Sequence, residues 1–204
     1  MDLDYEIISS GSEGNCVRIG NIMIDCGIAY NRLHEALYKV NTLLITHTHS
    51  DHIKVPTFSK IRKEFPRIQV YGNSDVAYQY KVDHIIGTTK FRVPGAVVIP
   101  YEGMHDVPVT YFIIRTKDLN IFYATDTCRV ENPEHIPIDY MFLESNYDEQ
   151  KLKAMAKQYK SHGYDPMLSN IRHLSTQKCK EFYYVNRRNA ESPLIELHMS
   201  KRFY

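Results

Sequence analysis

His47-Thr48-His49-Ser50-Asp51-His52 follows directly on the apolar, β-branched run Thr42-Leu43-Leu44-Ile45-Thr46. Such a run reads as a buried strand, so four ligand-type side chains sit in a loop anchored to a rigid strand end. Imidazole and carboxylate are the donor set of zinc and its chemical neighbours. A lone histidine is more often structural. Three histidines and an aspartate packed into six positions are poorly explained by solvation, and a loop can aim alternate side chains at two adjacent sites. The stretch therefore predicts a metal centre.

The surrounding chain alternates short strands with helices. Upstream, Tyr5–Ser9, Cys16–Ile19 and Ile22–Asp25 read as strands, joined by the turn-rich 10–15 segment and by Gly20-Asn21. A short helix is expected around Arg32–Tyr38. Downstream, Pro56–Phe65 reads as a helix with proline in its first turn, Ile68–Tyr71 as a strand, and Ser74 as the cap of a helix running to Lys81. Further strands are expected at Ala96–Pro100, Val109–Arg115, Leu119–Ala124, Tyr140–Glu144 and Leu194–Leu197, with helices at Glu149–Tyr159 and Thr176–Val185. Strands mixed with flanking helices imply a layered α/β or α+β domain, and 204 residues suit a single domain over 1–204, or two fused halves of one.

Composition narrows the class. A 43% hydrophobic content supports a core and argues against disorder. The four cysteines, Cys16, Cys26, Cys128 and Cys179, form no CxxC pair, which fits a reducing compartment. The opening MDLDYEII has neither the basic start nor the apolar core of a signal peptide, and no apolar run approaches the length of a spanning helix. The expected setting is cytoplasmic, without a membrane. Net charge is +1, but residues 151–204 hold eleven Lys+Arg against four Asp+Glu, leaving an acidic first part. An acidic part suits cation binding, and a basic part suits either an anionic substrate or a solvated helix face.

With those residues in view, HxHxDH after an apolar strand resembles the signature of metallo-β-lactamase-fold hydrolases. Ser9-Ser10-Gly11-Ser12-Glu13-Gly14-Asn15-Cys16 and Ile24-Asp25-Cys26-Gly27 resemble the start of the YycJ-like branch. The resemblance implies an α+β, four-layer αββα metallo-β-lactamase sandwich. It also implies later ligands, with candidates His105 in Gly103-Met104-His105-Asp106, Asp126 in Tyr123-Ala124-Thr125-Asp126-Thr127, and His198 in Leu197-His198-Met199-Ser200. By carry-over, one metal rests on His47, His49 and His105, a second on Asp51, His52 and His198, and Asp126 bridges them. Zinc is the first choice for a set with five imidazoles, with Mn or Fe as alternatives.

Two further stretches narrow the branch. Glu144-Ser145-Asn146-Tyr147-Asp148 and Arg172-His173-Leu174-Ser175 resemble elements of YycJ-like proteins and of ribonuclease Z, and 198–203 resembles the closing motif of ribonuclease Z. Arg172 stands where glycine is usual, and no long Gly-rich tRNA-clamping arm is present. In that group the equivalents of Glu144 and His173 form a proton-donating pair near the leaving oxygen. The size also resembles phage-encoded members that open cyclic mononucleotides.

The expected function is a two-metal phosphodiesterase acting on nucleic acid or a cyclic nucleotide, with a metal-activated water as nucleophile, Asp51 binding metal and orienting that water, and His173 with Glu144 as general acid. The alternative is a metal-dependent hydrolase of a carbon ester, thioester or lactone. A homodimer is expected by resemblance. His34, His84, His135 and His162 read as surface or structural residues, and Cys128 as a small packed thiol.

Overall fold

The computed structural model describes residues 2–160, 172–200 and 204, the side chains of 156–160 excepted. Contacts divide the chain into two compact units, Met1–Gly95 and Ala96–Tyr204. His162 and the end of the closing motif, 201–203, lie outside the described residues.

The first unit holds a mixed sheet in the order β1 (Tyr5–Ser9), β2 (Cys16–Ile19), β3 (Ile22–Ile24), β4 (Thr42–Ile45), β5 (Gln69–Gly72) and β6 (His84–Ile85). β1, β2 and β3 pair antiparallel; β3, β4, β5 and β6 pair parallel. Every residue of β4 is buried, as a parallel strand between two others requires. Helix α1 (Tyr30–Leu37) buries Leu33, Ala36 and Leu37, the i, i+3, i+4 stripe of an amphipathic helix. Helix α2 (Val55–Glu64) carries proline in its first turn and buries Thr57, Phe58 and Ile61. Both helices feed the core around Met23, Leu43, Ile45 and Val70.

Helix α3 (Ser74–Gln79) is capped by Asn73, whose side chain accepts from the Val76 amide, rather than by Ser74, and it stops short of Lys81. Asn and Ser are near-equal caps, so the dipeptide alone left the choice open. Strands β6 and β7 (Phe91–Val93) were not anticipated; each is too short to show a pattern.

In the second unit β8 (Ala96–Gly103), β9 (Val109–Arg115), β10 (Asn120–Ala124), β11 (Tyr140–Glu144) and β12 (Leu194–Leu197) lie side by side in the order β12-β11-β10-β9-β8. β8, β9 and β10 pair antiparallel, and β10, β11 and β12 pair parallel. Helix α4 (Glu149–Lys160) and helix α5 (Thr176–Asn186) complete the unit. Ser175 caps α5 by accepting from the Lys178 amide, and Cys179 of that helix is buried with Phe122, Leu143 and Leu174.

The topology decides where chemistry can sit. In open α/β sheets ligands bind beyond the carboxyl ends of parallel strands. In the first unit those ends, at β3 and β4, lead into Asp25 and the 46–52 loop. In the second, the ends of β10, β11 and β12 carry Asp126, Glu144 and His198. β8 runs antiparallel to β9, which runs antiparallel to β10, so the end of β8 leads into His105 at the same edge.

Candidate metal centre

The first unit assembles one group of candidate ligands from one loop and one strand end. Asp25 is completely buried and left-handed (φ 62°). Its Oδ1 accepts from the Thr46 amide (2.8 Å) and Thr46 Oγ1 (3.0 Å), and its Oδ2 accepts from His52 Nδ1 (2.7 Å). That last bond fixes the His52 tautomer, with the proton on Nδ1 and a lone pair on Nε2. The Asn15 side-chain Nδ2 donates to this Nε2 at 2.8 Å. His47 Nδ1 meets Thr46 Oγ1 at 3.0 Å. The His47 ring lies 4.7 Å from that of His49 and 4.0 Å from that of His52, centroid to centroid. Asp51 is the solvated member, with 28% of its side chain exposed, and its Oδ2 is 3.7 Å from His52 Nε2.

The loop is held by close backbone approach. The Asn15 amide donates to Asp51 O (2.6 Å), the Cys26 amide to His52 O (2.8 Å) and the Gly27 amide to Asn15 O (3.0 Å). A Cβ on Gly27 would stand 1.8 Å from Asp51 O, so only glycine lets the segments meet.

The second unit assembles another group from four strand ends and the loop before α5. One ligand atom each from Asp126, Glu144, His173 and His198 falls within 4.8 Å of the others. Glu144, completely buried, is the hub: Oε1 accepts from His173 Nδ1 (2.7 Å) and His198 Nδ1 (3.1 Å), and Oε2 from the Thr127 (3.1 Å) and Leu174 (3.2 Å) amides. Asp126 Oδ1 is 3.3 Å from His173 Nδ1 and 3.6 Å from His198 Nε2. The His173 and His198 rings stack at 5.4 Å. His105 Nδ1 donates to Arg172 O (3.3 Å), and its Nε2 is 3.0 Å from Asp106 Oδ1. Asp106 also pairs with Arg172, so the arginine that departs from the usual glycine steadies the carboxylate beside His105.

Electrostatics follow from these contacts. Burial pushes the Asp25 carboxyl up, against the pull of His52 and Thr46. Burial would push Glu144 up as well, but the hydrogen bonds from His173 and His198 overcome it and hold it below the usual carboxylate range. Burial would lower His173; its bonds to Asp126 and Glu144 outweigh that and raise it to about 9. His105 goes the other way, lowered by burial, as suits a neutral ligand.

The donor set fits divalent cations. His47, His52, His105 and His198 each engage Nδ1 with an oxygen, and such a contact commonly fixes a metal-binding imidazole with Nε2 as the donor. Among the described residues, three of the four left-handed non-glycine positions are Asp25, Asp126 and His198, and backbone strain of that kind clusters at functional sites.

All seven sequence-nominated ligands lie in these two groups: His47, His49, Asp51 and His52 in the first unit, His105, Asp126 and His198 in the second. Glu144 and His173 meet as anticipated. The sequence reading missed the supporting roles of Asp25, Asn15, Thr46 and Asp106. Asp25 stood in a quoted motif, but a buried carboxylate serving a residue 27 positions away leaves no local signal. His34 packs among Tyr30, Tyr38 and Phe65, and His84 stacks on Tyr71, both structural as expected. Cys128 is half-exposed rather than packed away.

The model of the β-lactamase superfamily domain matches residues 20–181. The chain belongs to that superfamily. Among curated relatives, the exodeoxyribonuclease YycJ of Bacillus anthracis is 31% identical over 99 residues, 43% of this chain and 35% of that protein. The match thus spans about a third of that relative. The exodeoxyribonuclease WalJ of Streptococcus pneumoniae is 25% identical over 229 aligned positions, 97% of this chain and 81% of that one. Among solved structures, the metallo-β-lactamase-fold protein YhfI of Bacillus subtilis superposes with a TM-score of 0.72 at 15% identity, covering 97% and 86% of the two chains. The short form of human tRNase Z superposes at 0.67 and 17%, covering 97% and 93%. The superfamily and branch resemblances read from the motifs are therefore borne out, and the α+β metallo-β-lactamase fold with them. No helix among the described residues is long and apolar enough to cross a membrane.

Proposed function

We propose that this superfamily member is a two-metal phosphodiesterase acting on nucleic acid or a nucleotide. The observation that carries the reading is the Glu144–His173 pair beside Asp126: a protonated imidazole held by two carboxylates is a general acid in waiting. An alkoxide leaving phosphorus needs such a donor, whereas a thiolate leaving a thioester does not. The names of the two curated relatives, both exodeoxyribonucleases, support the same class.

The proposed ligands are His47, His49 and His105 for one cation, and Asp51, His52 and His198 for the other, with Asp126 shared. The two units then act as halves of one domain, as a single family model spanning both supports. Zinc suits five imidazoles best. Bound there, two divalent cations would lower the pKa of a shared water toward neutrality and offset charge on the phosphate oxygens.

The chain's own residues do the rest. Asp25 and Thr46 hold His52 and His47 in the donating tautomer, and Glu144 does the same for His198. Asp51, the most exposed candidate ligand carboxylate, orients the attacking water. His173 passes its proton to the departing oxygen, and Glu144 holds the ring in place. The cytoplasmic setting and a homodimer belong to this proposal.

The test is turnover by Zn- or Mn-loaded protein of bis(p-nitrophenyl) phosphate, single-stranded DNA, RNA and cyclic mononucleotides, beside nitrocefin and lactones. Phosphodiester cleavage without lactam or lactone cleavage is expected. The reverse pattern would overturn the reading.

A further inference from the structure

We propose that a cleft of about 640 Å³ in the second unit receives the nucleobase adjoining the scissile phosphodiester. The proposal rests on the phosphodiesterase reading and adds a substrate subsite to it.

One wall of the cleft is built from the loops that carry the chemistry. The Met104 amide donates to Thr127 Oγ1 (3.0 Å), the Cys128 amide to Met104 O (3.1 Å), and His105 Nδ1 to Arg172 O (3.3 Å). The loops bearing His105, Asp126 and His173 are thereby tied together. Each sends a near neighbour of its functional residue into the cleft: Met104 precedes His105, Cys128 lies two after Asp126, and Leu174 follows His173. The cleft is thus lined by residues one or two positions from His105, Asp126 and His173.

The opposite wall is one face of helix α5, with Lys178, Phe182 and Val185 at i, i+4 and i+7. Met104 is 59% exposed and Val185 76%. Two large apolar side chains flanking one concavity favour an occupant with an apolar face. Lys178 and Arg129 border the cleft, Arg129 in an ion pair with Glu131, and Glu181 adds a carboxylate, so Lys178 is the cation the cleft offers an anionic group. An apolar slot bordered by a cation suits a flat ring attached to a phosphate. A nucleobase presents a π-face to Phe182, Met104 and Val185, and its sugar-phosphate places negative charge near Lys178. A plain acyl chain would make no use of the cation.

The experiment compares two esters with the same leaving group: thymidine 5′-(p-nitrophenyl phosphate), which carries a base, and methyl p-nitrophenyl phosphate, which does not. Val185→Trp fills the cleft from an exposed helix position. It should raise KM for the thymidine ester at least tenfold with kcat within twofold, and leave the methyl ester unchanged. Lys178→Ala should raise the same KM severalfold. Calorimetric titration with AMP reads the subsite without turnover: Val185→Trp should bind at least tenfold more weakly than the unaltered protein. Equal AMP binding by both proteins, or none by either, would overturn the subsite. Turnover of the methyl ester by the unaltered protein needs no base, so it tests the phosphodiesterase reading separately.

Discussion

The two units reach the same chemistry by opposite routes. In the first, four candidate ligands lie within six consecutive residues on a loop after β4, and one buried carboxylate, Asp25, steadies them. In the second, the candidates stretch from position 105 to 198, delivered by four strand ends, and one carboxylate, Glu144, serves two imidazoles at once. A contiguous loop concentrates information in sequence but needs outside support, here Asn15, Asp25 and the bare backbone of Gly27. A dispersed set is dimmer in sequence but is stiffened by the sheet that carries it.

Removing a ligand from either set tests whether the sets are equivalent. Asp51→Ala in the loop and Asp126→Ala in the dispersed group should each cut turnover by about 10⁴-fold, the scale for a catalytic unit that fails as a whole. Elemental analysis should show metal lost from both. Full metal retention in Asp126→Ala would show that the dispersed group is not a ligand set.

The next effect separates ligand from proton donor within the second unit. His173→Ala should slow turnover of single-stranded DNA or a cyclic mononucleotide, where an alkoxide leaves, by about 10²-fold or more and leave bound metal unchanged. Metal loss in this variant would move His173 from acid to ligand and erase the distinction between it and His198.

The supporting carboxylates give a smaller effect. Asp25→Asn and Glu144→Gln should each weaken metal affinity by about 10–100-fold, measured by competition with a chromogenic chelator. Glu144→Gln should in addition slow turnover at saturating metal, since the same carboxylate holds His173. Unchanged turnover of the metal-saturated variant would argue that His173 does not depend on Glu144 for its position.

The smallest effect lies at the surface of the first unit. Arg62 makes a two-pronged ion pair with Asp83 (2.6 and 2.8 Å), and its hydrogen bonds hold that carboxyl below its ordinary value. A depressed folded value contributes stability above the unfolded value of 3.8, and that contribution fades as pH falls through the folded one. Both side chains are about a quarter exposed, so solvent screening keeps the pair to less than about 1 kcal/mol. Arg62→Ala should lower Tm slightly at pH 7, with the difference shrinking toward pH 3. A difference that grew toward acid would contradict the pair.

The same contrast explains what the sequence disclosed. Val109–Arg115, Tyr140–Glu144 and Leu194–Leu197 were legible to the residue because each is an apolar run ended by a turn. The 47–52 loop was legible because ligand density there exceeds what solvation explains. His105, Asp126 and His198 are single residues, visible only through resemblance to a family. Asp25 stayed hidden because it acts on His52, 27 positions away, and Asp106 because its pairing with Arg172 forms only on folding. His84–Ile85 and Phe91–Val93 are too short for a period to register.

The left-handed backbone at Asp25, Asp126 and His198 has a consequence for laboratory evolution. Glycine adopts that geometry without penalty, so a library screened for heat resistance alone should drift toward glycine at Asp126 and His198, but not at Asp25, whose buried carboxylate holds Thr46 and His52. His135 has the same geometry (φ 50°) and no part in the centre, so it serves as an internal control. When the screen also demands activity, only position 135 should remain free to drift, and deep sequencing of the two selections would outline the centre before any natural substrate is identified.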